Sequence, residues 1–292
     1  LSKILWKGLN YKKITFIRDG ILNYLPFETL YNAESKKYLV ENSNVSYDYA
    51  LPLFLFNSQN NIVVDSNNLI AFAPNYKNKN TATVRSGLSD LQYAKKEAHL
   101  ISKLFNGTSF INEQATKNNF FTTINQYGFY HFAMHSLVDE NNINKSCLVF
   151  SNNEKLYFSE LYGMNFPAKL VVLSACDTGN GFLKSGEGIM SISRALTHAG
   201  VHSTVMSLWQ VPDKETSEIM IMFYENLKNG QKKDEALANA KRTFIAKNPL
   251  KNHPFYWAGF VVNGNTDPIQ SSNKWIYIIA IIGIISIILA LC

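Results

Sequence analysis

The strongest constraint on the fold is a set of short runs that are apolar at nearly every position. Leu69-Ile70-Ala71-Phe72-Ala73 and Leu170-Val171-Val172-Leu173-Ser174 show no apolar–polar alternation. A strand built from either is buried on both faces. Further strands are expected at Ile14–Ile17, Phe129–Met134, Cys147–Phe150, Ser203–Leu208 and Phe255–Val262. Helix-period segments cover Ala94–Phe105, Glu187–His198, Lys214–Leu227 and Asp234–Lys247. Thr216, Ile219, Phe223 and Leu227 line one stripe, and Leu237, Ala240 and Phe244 another. This alternation predicts an α/β fold with a mostly parallel central sheet and helices on both faces. The first 60 residues are expected to form a smaller subregion on the same sheet. No repeat of about 20 to 50 residues occurs, which excludes a solenoid.

The chain has 292 residues, 46% hydrophobic and 17% charged, enough for one large domain or two modest ones. Such a composition excludes a disordered chain, a disulfide-stapled miniprotein and collagen. Mean hydropathy is −0.10, but Trp275 to Cys292 (WIYIIAIIGIISIILALC) distorts it. Without this tail the average is about −0.3, ordinary for a water-soluble body. An uncharged run of this length predicts a transmembrane helix, with Trp275 and Tyr277 at the interface beside Lys274. The expectation is a single-pass, C-terminally anchored membrane protein whose body lies on an undetermined side. Leu1 and the stop within the span suggest a piece of a longer protein. Net charge is +6, from lysines scattered among Asp and Glu, so no nucleic-acid partner is expected. Cys147, Cys176 and Cys292 have neither metal-ligand nor paired-disulfide spacing. No metal or cofactor is expected.

In a parallel α/β sheet the reactive groups gather beyond the carboxyl ends of the strands. GFYHFAMH delivers His135 to such an end, and KLVVLSAC delivers Cys176 to another. If the strands are neighbours, the imidazole faces the thiol and favours the nucleophilic thiolate. Asp177-Thr178-Gly179-Asn180-Gly181 follows the cysteine, a loop able to offer backbone N–H groups to an oxyanion. His131 shares a face with His135 but lies deeper, as a core histidine would. His198 and His202 flank Gly200, which breaks the helix that a zinc pair needs. Cys147 sits in an apolar run and reads as structural.

The segments YHFAMHS, LVVLSACDTGNG, GEGIMSISRALTHAG, STVMSLWQVPD and PFYWAGFVVNG resemble CHAT domains. These are caspase-like domains associated with tetratricopeptide repeats, within the caspase–separase group of cysteine peptidases. Upstream, IRDGILNYLPFETL, YLVENSNVSYDYA and LIAFAPN are similar to the early part of that family. The resemblance divides the chain into the end of an upstream region (1–11), a CHAT domain (12–264), a linker (265–274) and, from the apolar run alone, a truncated transmembrane helix (275–292). It implies a caspase-like α/β fold and a cysteine endopeptidase acting on a protein or peptide substrate, with helical repeats upstream in the same chain; the apolar run makes that endopeptidase membrane-anchored. The resemblance places the catalytic pair on His135 and Cys176, and the oxyanion donors on the backbone near Ser136 and Cys176. Ser207, Trp209 and Gln210 become substrate-binding candidates on a strand edge, with Asp177 and Asp213 as pocket charges. Asp213 also suits the N-cap of the helix it precedes, the favoured reading. The family usually has Gly where this chain has Ser136, and a required positive φ would strain serine. That departure leaves a second class open, an inactive pseudo-protease acting as an interaction or signalling module.

Overall fold

The structure, a computed structural model, describes residues 11–50, 66–76, 88–139, 142–174 and 187–269. Cys176, Asp177 and the apolar tail lie outside the described residues. Among the described residues eight strands form one sheet: β1 (Lys13–Ile17), β2 (Asn44–Asp48), β3 (Leu69–Ala73), β4 (Thr108–Ile111), β5 (Phe129–Phe132), β6 (Leu170–Leu173), β7 (Ser203–Ser207) and β8 (Phe260–Gly264). Their spatial order is β1-β2-β8-β7-β6-β5-β3-β4. Every neighbouring pair is parallel except β7 with β8. The N-terminal strands β1 and β2 belong to this sheet itself, where the sequence predicts a smaller subregion packed on it.

Chain return explains the exception. Helices α1 (Gln92–Leu104), α2 (Lys117–Thr123), α3 (Glu187–His198), α4 (Asp213–Lys228) and α5 (Lys233–Lys247) accompany the strands. A single crossover helix carries the chain back to the start of a parallel strand. Between β7 and β8 there are two helices, α4 and α5. The second undoes the first, so β8 starts with Phe260 beside Ser207 and runs the other way.

Strand alternation sends successive side chains to opposite faces. Ala71, Phe129, Leu170, Val172, Val205 and Val262 pack against Ala98 and Ile101 of α1, Ile219 and Phe223 of α4, and Ala240 and Phe244 of α5. Ile70, Phe72, Phe132, Val171, Leu173 and Met206 face the other way, toward Phe120 of α2 and Ile192, Ala195 and Leu196 of α3. Both faces are therefore covered. Each large apolar side chain so buried contributes about 1.5–3 kcal/mol. The second face holds an aromatic cluster, with ring centroids 5.5 Å apart for Phe72–Phe132 and 4.6 Å for Tyr130–Phe166.

Two expected strands fall elsewhere. Cys147–Val149 joins Ser136–Leu137 and Lys155–Tyr157 in a separate antiparallel sheet rather than the central one. Pro254–Tyr256 forms a 3₁₀ turn, with Pro254 at the first helical position where its missing N–H is harmless, and the strand begins only at Phe260. The segment expected as a linker starts out packed: Lys233 N–H donates to Thr266 O, and Ile269 is buried. No helix among the described residues is long and apolar enough to cross a membrane.

Candidate active site

Strands β3, β5, β6 and β7 are mutually parallel, so their carboxyl ends share one edge of the sheet. At or beyond those ends come Tyr76 after β3, His135 after β5, the chain to Cys176 after β6, and, from the last residue of β7, Ser207 to Asp213. β5 and β6 are direct neighbours, with Phe132 opposite Leu173. Ser174 N–H donates to Phe132 O at 3.1 Å, continuing the pairing one step. His135 and Cys176 each follow three positions after those paired residues. The two strands thus stand side by side, the condition for a histidine–cysteine pair, while Cys176 itself is outside the described residues.

His135 is buried. Its Nε2 lies 2.7 Å from Ser89 O. A carbonyl oxygen only accepts, so Nε2 carries the proton and Nδ1 is the basic nitrogen of the neutral ring. The Tyr76 ring packs 4.7 Å from the imidazole, centroid to centroid. Its hydroxyl accepts the His135 N–H at 2.9 Å and donates to Val149 O at 2.8 Å. Burial pushes the Tyr76 hydroxyl above its ordinary pKa, which keeps it protonated. Sequence reasoning missed Tyr76; its one visible signal is an aromatic residue three positions past the end of β3.

Beneath His135, His131 is a core histidine with its polar atoms engaged. Nε2 lies 2.7 Å from Glu97 Oε1 and 3.2 Å from Ser174 Oγ, and Nδ1 lies 3.1 Å from Tyr224 O–H. All four residues are buried. Ser174, two positions before Cys176, ties this network to the chain leaving β6.

Asp213 is the first residue of α4, whose N-cap position is Pro212. Instead of capping its own helix, Asp213 accepts from Tyr93 N–H in the first turn of α1. Burial holds its carboxyl above the usual carboxylate range, and the Tyr93 N–H pulls it back. Glu97 and Asp90 push it further up while His135 opposes them, so these four groups share one electrostatic neighbourhood. Ser207 is buried, and its hydroxyl donates to Trp209 O within the turn that leaves β7. Trp209 Nε1 donates to Phe255 O at 2.9 Å, and Gln210 is exposed. The turn packs against Gly259 so closely that a Cβ there would meet Val211 Cγ2 at 2.7 Å and Ser207 Oγ at 2.9 Å. Ser136 is an ordinary strand residue, and positive φ occurs at other positions, so serine carries no backbone strain there.

The remaining singled-out groups have separate surroundings. The His198 ring packs on Tyr162, and Gly200, at φ +106°, turns the chain after α3. His202 N–H donates to Ala168 O, and burial together with Lys233 lowers the imidazole's pKa. Cys147 is buried, which raises its thiol pKa. No group of three or more His, Cys, Asp or Glu side chains suited to a metal ion occurs among the described residues.

Known proteins are similar to this chain in sequence or in fold. Tetratricopeptide repeat protein 28 of Homo sapiens is 24% identical over 309 residues, covering 91% of this chain and 12% of that protein. The chain thus spans about an eighth of that relative's length. The separase of the Saccharomyces cerevisiae separase–securin complex superposes with a TM-score of 0.53 at 12% identity, over 83% of this chain and 15% of that one. The Arg-specific cysteine proteinase gingipain R (RgpB), of Porphyromonas gingivalis, gives a TM-score of 0.50 at 13% identity, over 78% of this chain and 55% of that one. At these identities the structural likeness concerns the fold, a caspase-like peptidase fold. A family model described as the CHAT domain matches residues 1–265, and the chain belongs to the CHAT domain family.

Proposed function

We propose that the chain is a cysteine endopeptidase in which Cys176 attacks a peptide carbonyl and His135 serves as acid and base. The observation that carries this reading is His135 itself, buried beyond β5 with Nε2 held on Ser89 O, beside the strand that leads to Cys176. Nδ1 takes the thiol proton, the thiolate sulfur bonds to the carbonyl carbon, and backbone N–H groups of Ser136 and Cys176 hold the oxyanion. The C–N bond breaks as the imidazolium returns its proton to the leaving amine. Water then cleaves the thioester and restores the thiol. β7 is paired on both sides, with β6 and β8, so an extended substrate pairs instead with the segment that leaves it, past Trp209 and Gln210 rather than the buried Ser207, with Asp177 and Asp213 as charges near the cleaved residue. The similarity to a tetratricopeptide repeat protein supports helical repeats upstream in the same chain. The apolar run 275–292 supports a membrane anchor that confines the peptidase to a membrane surface.

The test is incubation of the chain, and of a longer form carrying its upstream region, with a diverse peptide library read by mass spectrometry. Cleavage by wild type that disappears in Cys176→Ala is expected. Absence of cleavage from both forms, with intact folding, overturns the peptidase reading in favour of a pseudo-protease that serves as an interaction module.

A further inference from the structure

Tyr76 stands where a sheet hydrogen bond is missing. Strand Ser136–Leu137 pairs antiparallel with Cys147–Val149, with Ser136 opposite Leu148 and Leu137 opposite Cys147. Extended by one step, this register sets His135 opposite Val149, a pair that ordinarily exchanges two backbone N–H···O bonds. One is made, from Val149 N–H to His135 O at 3.0 Å. In place of the other, the Tyr76 hydroxyl bridges the gap, accepting from His135 N–H at 2.9 Å and donating to Val149 O at 2.8 Å. A hydroxyl can do both because it carries one proton and two lone pairs. A side chain from the segment after β3 therefore opens the ladder at His135, and its ring packs on the imidazole at the same time.

We infer that Tyr76 is a positioning residue for His135. Its hydroxyl spaces the His135 backbone from Val149, and its ring holds the imidazole with Nε2 on Ser89 O. The catalytic consequence rests on the peptidase reading; the positioning does not. Without the hydroxyl, either the ladder closes and draws His135 toward Val149, or His135 N–H and Val149 O lose their partner. Both outcomes displace or loosen the ring, and a misplacement of about 1 Å can cost about 100-fold in rate.

The test is Tyr76→Phe in the full chain, which keeps the ring and removes only the oxygen. Urea unfolding should stay cooperative. The ring nitrogens of His135, followed by nitrogen-15 NMR, should change their shifts. On a peptide that wild type cleaves, kcat should fall at least about tenfold while KM stays within about threefold, the pattern of a lost transition-state contact. An unchanged His135 signal, or an unchanged kcat, overturns the inference. A changed His135 signal in a wild-type protein that cleaves nothing upholds the positioning and removes the peptidase reading instead. If Tyr76→Phe does not fold, 3,5-difluorotyrosine at position 76 replaces it. That change weakens the hydroxyl as an acceptor, so the His135 amide nitrogen shift must move, and an unmoved shift is equally fatal.

Discussion

Oδ2 of Asp213, the first residue of α4, accepts the backbone N–H of Tyr93 in the first turn of α1 at 2.8 Å. The N-cap of α1 is Leu91, which makes no side-chain cap, so one helix supplies the acceptor that another lacks. Burial nevertheless raises the carboxyl's pKa above its ordinary 3.8. The folded state therefore holds the proton more tightly than the unfolded chain, and this group's contribution to stability falls as pH rises through the folded value. Asp213→Asn keeps an accepting oxygen and removes the charge. Its Tm should exceed that of wild type at neutral pH, with the difference closing as pH falls toward about 4. A variant less stable than wild type across that range would contradict the assignment.

His131→Ala leaves the buried carboxyl of Glu97 without its partner at 2.7 Å. Breaking a buried pair on one side typically costs about 3–5 kcal/mol. Glu97→Gln preserves a hydrogen-bonding group and should cost less, about 1–3 kcal/mol. Urea midpoints at constant m-value measure both. Equal losses would mean that the network is packed filler rather than a polar unit.

Glu28 and Lys241 form a buried ion pair that ties the N-terminal segment to α5, with Tyr47 O–H also donating to Glu28 at 3.3 Å. Burial lowers the Lys241 pKa well below its ordinary value. Lys241→Met should cost about 3–5 kcal/mol, because Glu28 is stranded. Glu28→Leu in the same chain should recover part of that loss, a coupling that a double-mutant cycle reads. Simple additivity of the two changes would refute the pairing.

Gly259→Ala tests the turn that leaves β7. The new Cβ meets Val211 Cγ2 at 2.7 Å and Ser207 Oγ at 2.9 Å. Overpacking of this kind costs about 1–3 kcal/mol. Trp209, whose ring approaches the same position at 3.3 Å, should report the shift as a change in fluorescence. A silent substitution would show that the turn is looser than described.

Legibility in the sequence followed unbroken apolar runs rather than burial, since β2 is buried too. β3 and β6 are readable because residues 69–73 and 170–173 are apolar throughout and buried on both sides. β2 is not, since Asn44-Val45-Ser46-Tyr47-Asp48 mixes polar and apolar residues and owes its strand to pairing with β1. Asp213 shows local chemistry read correctly and assigned to the wrong helix: a carboxylate at a helix start suits a cap, but only tertiary packing shows that the open N-terminus belongs to α1. His135 was visible as a strand-tip histidine. The oxygens around it, from Tyr76 and Ser89, come from segments 46 or more positions away and leave no mark in the local pattern.

The most direct test of the central claim needs no substrate. Carbamidomethylation of Cys176 by iodoacetamide, followed site by site with mass spectrometry across pH, reports its thiolate. Beside His135 the thiolate should persist well below the free-cysteine pKa of about 8.5, and His135→Ala should move the profile back up toward that value. An identical Cys176 profile in wild type and His135→Ala would contradict the dyad.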